Sequence, residues 1–72
     1  MKLPIRNKTS ESILLFIEVT CEEYEIPAGG EALVTLEDGQ PHSIDLHDRQ
    51  ITVWNEGYER ALVDISAPQP ER

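Results

Sequence analysis

Two runs rich in β-branched and aromatic residues flank the tripeptide Asn55-Glu56-Gly57, and their spacing leaves this stretch little choice of secondary structure. Strand formers on both sides of a short Gly-bearing loop predict a β-hairpin over residues 50–65. Gly57 can take φ > 0 without a Cβ penalty, and a three-residue loop built on a type I turn uses a left-handed residue in that place. The register then sets Trp54 opposite Tyr58, Thr52 opposite Arg60 and Ile51 opposite Ala61. Ile51, Val53, Ala61, Val63 and Ile65 share an aliphatic face. Thr52, Trp54, Tyr58, Arg60 and Leu62 share an amphipathic aromatic one. A two-residue Glu56-Gly57 loop would oppose Val53 to Arg60 and sort neither strand.

The rest of the chain follows the same grammar. Leu3 and Ile5 alternate with polar positions, and Pro4, with no N–H to donate, predicts an edge strand. Lys8 to Ser12 is a polar turn. Residues 13–19 (Ile-Leu-Leu-Phe-Ile-Glu-Val) are few and dense in strand formers, which predicts a strand buried on both faces, with a helix capped by Thr9 or Ser10 as the alternative. After a turn at Thr20 and Cys21, Tyr24 and Ile26 point inward. Pro27-Ala28-Gly29-Gly30 then breaks the chain, Pro fixing φ and Gly supplying positive φ, and leads into a strand ending near Leu36. Glu37-Asp38-Gly39 predicts a second hairpin by the first one's rule, pairing Leu36 with Gln40, Val34 with His42 and Ala32 with Ile44. Ile44 and Leu46 turn in, Asp45 and His47 out. A tight turn at Asp48–Arg49 sets Leu46 opposite Ile51. Residues 67–72 are expected to form a disordered tail. The expected fold class is all-β: a small antiparallel sandwich or barrel of six or seven short strands joined by hairpins, in one domain over residues 1–66.

At 72 residues the chain sits near the lower limit for a core without staples. Its single cysteine allows no intrachain disulfide, and no Cys/His cluster has structural-zinc spacing. Self-association would add stability to so small a core. Fourteen acidic against six basic residues give a formal charge of −8, without a basic stripe to override the average. That balance argues against nucleic acid and anionic membranes as partners, because both require clustered cations. The start Met-Lys-Leu-Pro-Ile-Arg lacks an apolar stretch of signal-peptide length, and the apolar run from Ile13 to Ile17 is too short to span a bilayer. A soluble, cytoplasmic protein is the expectation.

At Tyr24-Glu25-Ile26-Pro27-Ala28-Gly29-Gly30 and Ile51-Thr52-Val53-Trp54 the chain resembles a group of short bacterial all-β proteins of unknown function. Those proteins pair a Tyr-x-Leu/Ile-Pro-x-Gly segment with a late Val-Trp or Val-Tyr strand. The resemblance extends over residues 13 to 65 and implies the same all-β class. Where the group has a Gly in the turn before its Tyr, this chain has Val19-Thr20-Cys21. No activity comes with the resemblance.

Three sets of residues invite a chemical reading. Trp54, Tyr58 and Arg60, with Thr52 and Leu62 beside them, combine the residue types that dominate protein interfaces. Two roles are open to that face: a contact surface, or a layer covered by a second sheet. Asp45 and His47 lie two residues apart on one strand face, while His42 points the other way. They offer two ligands where transition-metal sites need three or four, so neither metal nor cofactor is expected. Cys21 lies beside Glu22 and Glu23, which oppose thiolate formation, and no nucleophile–base–orienter set accompanies it. The sequence therefore predicts a non-enzymatic module that binds a protein partner through the Trp54 face or an unpaired sheet edge. A self-assembling homodimer through that face is the alternative, with a small-ligand or metal binder behind both.

Overall fold

The computed structural model describes residues 1–18, 20–39, 41–57 and 59–68. Seven strands occur among them: β1 (Lys2–Arg6), β2 (Ile13–Glu18), β3 (Glu22–Ile26), β4 (Glu31–Thr35), β5 (His42–His47), β6 (Gln50–Asn55) and β7 (Leu62–Ser66). No helix occurs among the described residues. The strands form a three-stranded sheet in the order β1-β4-β7 and a four-stranded sheet in the order β3-β2-β6-β5. Leu15, Ile17, Ile26 and Val53 of the larger sheet pack with Ala32 and Val34 of the smaller, joined by Leu36 and Ala61. The chain is a small β-sandwich, not a closed barrel.

Two expected hairpins are not formed. β6 pairs with β2 and β5, while β7 pairs with β4 in the other sheet. The loop after Asn55 thus carries the chain from one sheet to the other, and Thr52 does not face Arg60, nor Ile51 Ala61. Likewise β4 pairs with β1 and β7 rather than with β5, so Val34 does not face His42 and Ala32 does not face Ile44. Gln40, the expected partner of Leu36, and Tyr58, that of Trp54, lie outside the described residues. The reason is geometric. Alternation of side chains states which face meets a core, but two strands of opposite sheets satisfy the same alternation as two strands of one hairpin. Ile51 and Val53 face inward from one sheet, and Val63 and Ile65 face inward from the other.

Other expectations hold. Pro4 sits on β1, an edge strand paired with β4 alone. The Asp48–Arg49 turn sets Leu46 opposite Ile51, with Arg49 in the left-handed region at φ 59°. Tyr24 is half-buried and Ile26 fully buried. Gly29 takes φ 75° in the Pro27–Gly30 turn, which the Gly30 N–H closes onto the Pro27 carbonyl at 2.8 Å. That is the type II pattern, which needs positive φ at its third residue. A Cβ on Gly30 would stand 2.6 Å from the Ser66 carbonyl oxygen, so the turn fits against β7 only without a side chain there. β2 departs partly from expectation: Leu15 and Ile17 are buried on one face, whereas Leu14 and Phe16 are exposed and half-buried on the other. Val19 and residues 69–72 of the expected tail lie outside the described residues.

The two sheets are stitched by polar side chains. Asn7, just past β1, is buried. Its Nδ2 donates to the carbonyls of Glu11, Ile26 and Pro27 at 2.8, 3.0 and 3.1 Å. Its Oδ1 accepts from the N–H and hydroxyl of Thr9 at 3.0 and 2.6 Å. Its main chain adds bonds to Gly29 and Gly30, both at 2.9 Å. One side chain thereby ties the β1–β2 crossing to the β3–β4 crossing with its polar atoms satisfied, as burial demands. Asn55 does a smaller version of this at the β6–β7 crossing, donating to the Glu59 carbonyl at 3.0 Å.

Candidate functional site

Of the five residues expected to share one face, the four described ones are divided by the sandwich. Thr52 and Trp54 lie on the outer face of the larger sheet, since their neighbour Val53 points into the core. Leu62 faces away from the core on the smaller sheet, on the opposite side of the molecule, and is 64% exposed. Tyr58 lies outside the described residues. Arg60 leaves Trp54 altogether and crosses to β3.

There it grips Glu22. The guanidinium donates from Nη2 and Nε to the two carboxylate oxygens at 2.8 and 3.3 Å. The same carboxylate accepts from the Thr20 hydroxyl at 2.6 Å and the Tyr24 hydroxyl at 2.7 Å. These donors, Arg60 first, hold the Glu22 carboxyl down at about 2, against an ordinary 4.5. Tyr24, donating to an anion, has its hydroxyl pushed upward, and Arg60 is held more firmly protonated by the same contact. Every oxygen of this group is engaged by its own neighbours, so it acts as a clasp between β3 and the entry to β7.

Trp54 finds different company. Because β2 lies parallel to β6, Glu18 falls beside Trp54, Phe16 beside Thr52 and Leu14 beside Gln50. The β2–β3 pairing then adds Glu23 beside Phe16 and Glu25 beside Leu14. On the other flank β5 places Ser43 beside Trp54, Asp45 beside Thr52 and His47 beside Gln50. Asp45 accepts the Trp54 indole N–H at 2.8 Å, which fixes the ring while leaving the residue 38% exposed. Thr52 is buried beneath these neighbours. The outer face of the larger sheet is therefore an apolar strip of Leu14, Phe16 and Trp54 bordered by Glu18, Glu23, Glu25 and Asp45. Neither Lys nor Arg occurs among these strand positions.

Leu14 and Phe16 were missed as site residues because nothing local announces a parallel β2–β6 ladder. The signal was present in another form: a strand apolar on both faces must show one of them outward when only one second sheet exists. Asp45 and His47 do share a face, but among the described residues no three His, Cys, Asp or Glu side chains are gathered to hold a metal ion. Cys21 is exposed and in the left-handed region at φ 58°, its thiol 3.8 Å from Glu18 Oε2. Among the described residues no helix is long and apolar enough to cross a membrane. No family model matches the chain, and neither a curated protein nor a solved structure matches it.

Proposed function

We propose that the protein is a non-enzymatic interaction module that docks a cationic segment of a protein partner on the outer face of its four-stranded sheet. The observation that carries this reading is the hydrogen bond from Trp54 to Asp45, which holds a part-exposed indole in one orientation between Glu18 and Asp45, with Glu23 and Glu25 farther along the same face. A fixed aromatic ring is a ready contact for Lys or Arg through the ring quadrupole, and Trp is enriched where interfaces concentrate their energy. The carboxylate border supplies complementarity, and the charge of −8 draws in a basic ligand from a distance. Self-association through this same face is disfavoured, because it would set four carboxylates against four.

The test uses Trp54, the only tryptophan, as reporter. A short peptide alternating Lys and Leu is titrated into the protein, with a Glu/Leu peptide as control. Saturable change in indole fluorescence is expected from the Lys/Leu peptide alone. It should weaken at least about tenfold between low and physiological salt, as exposed charges are screened, and Phe16→Ala should reduce it further. Equal response to both peptides, or none to either, overturns the reading.

A further inference from the structure

The strand β5 ends the larger sheet, and sheet edges invite pairing unless something blunts them. β1 carries Pro4 with Lys2 and Arg6 beside it, and β3 carries Glu22, Glu23 and Glu25. β7 lies against β3, where the Arg60 clasp crosses. β5 reads His-Ser-Ile-Asp-Leu-His, with neither Pro nor Lys, and pairs with β6 alone.

The register of β5 fixes which of its main-chain groups turn away from β6. The Glu56 N–H donates to the Pro41 carbonyl at 3.0 Å, continuing the register that opposes His42 to Asn55. In an antiparallel ladder, bonded and non-bonded pairs alternate. Ser43, Asp45 and His47 thus direct their main-chain groups at β6, while His42, Ile44 and Leu46 direct theirs away from it. The Ile44 and Leu46 side chains also point to the core side of the sheet, opposite Val53 and Ile51. Three strands do not cover four, so they stay 43% and 77% exposed. At Ile44 and Leu46 an outward-aimed main chain and an uncovered apolar side chain coincide on one edge.

We propose that this edge pairs with the same edge of a second copy, antiparallel across a two-fold axis at Ile44, making one continuous sheet from two sandwiches. The sequence of β5 fits itself in that register. Ile44 exchanges main-chain bonds with Ile44 of the second copy, Ser43 faces Asp45, a donor against a carboxylate, and Leu46 faces the position of His42. Shifting by one pairing in the direction that opposes Ile44 to Leu46 would set Asp45 against Asp45, which like charge opposes. Shifting the other way shortens the ladder. The contact is isologous, as a closed dimer requires, and leaves the Trp54 face open. Both copies are strongly acidic, so salt strengthens this association while weakening the docking of a basic segment.

The test combines mass with position. Light scattering on the intact chain, from about 10 μM to about 1 mM, spanning common weak-dimer affinities, is expected to rise from 8.2 kDa to twice that value, earlier at high salt. In a Cys21→Ser background, Ile44→Cys is expected to form an interchain disulfide under mild oxidation. Bonded cross-strand Cα atoms stand about 5.5 Å apart, within disulfide reach. Leu46→Cys, the more exposed position, should cross-link at least about tenfold less, since the two copies of residue 46 lie about 14 Å apart along the strands. A chain that stays at 8.2 kDa throughout overturns the proposal. So does a dimer that cross-links as well through residue 46 as through residue 44.

Discussion

β3 and β5 are the two margins of one sheet, and each presents two apolar residues to the core side at alternate positions: Tyr24 and Ile26 on β3, Ile44 and Leu46 on β5. Their fates are opposite. Ile26 is fully buried, while Leu46 is 77% exposed. The β3 margin is stitched by Asn7 to the carbonyls at its end and by Arg60 to Glu22 at its start, and Gly30 lets the turn seat against β7. At the β5 margin Asp45 takes its bond from Trp54 on the other face, and Arg49 in the turn after the strand pairs with Glu11 at 2.7 Å between exposed side chains, so neither tie draws Leu46 under cover. Apolar patterning makes a strand able to be buried; polar side chains arriving from distant loops decide which strand is.

The largest break in that contrast is expected from Asn7→Ala. It leaves three carbonyl oxygens and the Thr9 donors without their partner in a buried corner, and should cost about 2–4 kcal/mol, read as a lowered urea midpoint. A loss below about 0.5 kcal/mol, the range of an ordinary surface change, would show that the stitch does not hold the margin.

Next in size is Glu22→Gln, expected to cost about 1 kcal/mol near neutral pH once the solvent exposure of Arg60 is allowed for. Its pH signature is more specific. The folded carboxyl titrates at about 2 and the unfolded one near 4.5, so between these values the unfolded chain binds more protons. The contribution of the clasp is complete above 4.5 and disappears as the pH falls to about 2. Thermal melts across that window should show a shallower acid limb for Glu22→Gln than for the native chain. Parallel limbs would remove the clasp from the account. The smallest effect belongs to the other margin: Leu46→Ser in dilute protein should change stability by less than about 0.5 kcal/mol, as surface substitutions do.

Much of this fold is legible in the residues, and what is not has a physical cause. The Asp48–Arg49 turn could be read with its register because a two-residue connection leaves the strands no room to separate. Glu37-Asp38-Gly39 announces a turn and forms one, with Gly39 at φ 77°, yet its strands part into different sheets. A turn fixes local dihedral angles; the partner of the next strand is chosen by distant contacts. Trp54 could be singled out from its residue type alone, whereas Phe16 joined it only through a pairing between residues far apart in sequence. The role of Asn7 was equally hidden, because an Asn beside Lys8 and Thr9 looks like any solvated turn residue until three carbonyls surround it.

The parallel ladder between β2 and β6 has a consequence for the order in which the chain assembles. Its first pair joins Leu14 to Gln50, closing a loop of about 35 residues that contains β3, β4 and β5. The β2–β3 and β5–β6 hairpins are local and form on their own timescale, but the ladder that makes them one sheet pays its closure entropy in full before any of its contacts is gained. The ladder at the centre of the larger sheet is thus expected to form after its two hairpins, and until it closes, the β2 edge destined for β6 stands open beside a chain that already displays β5.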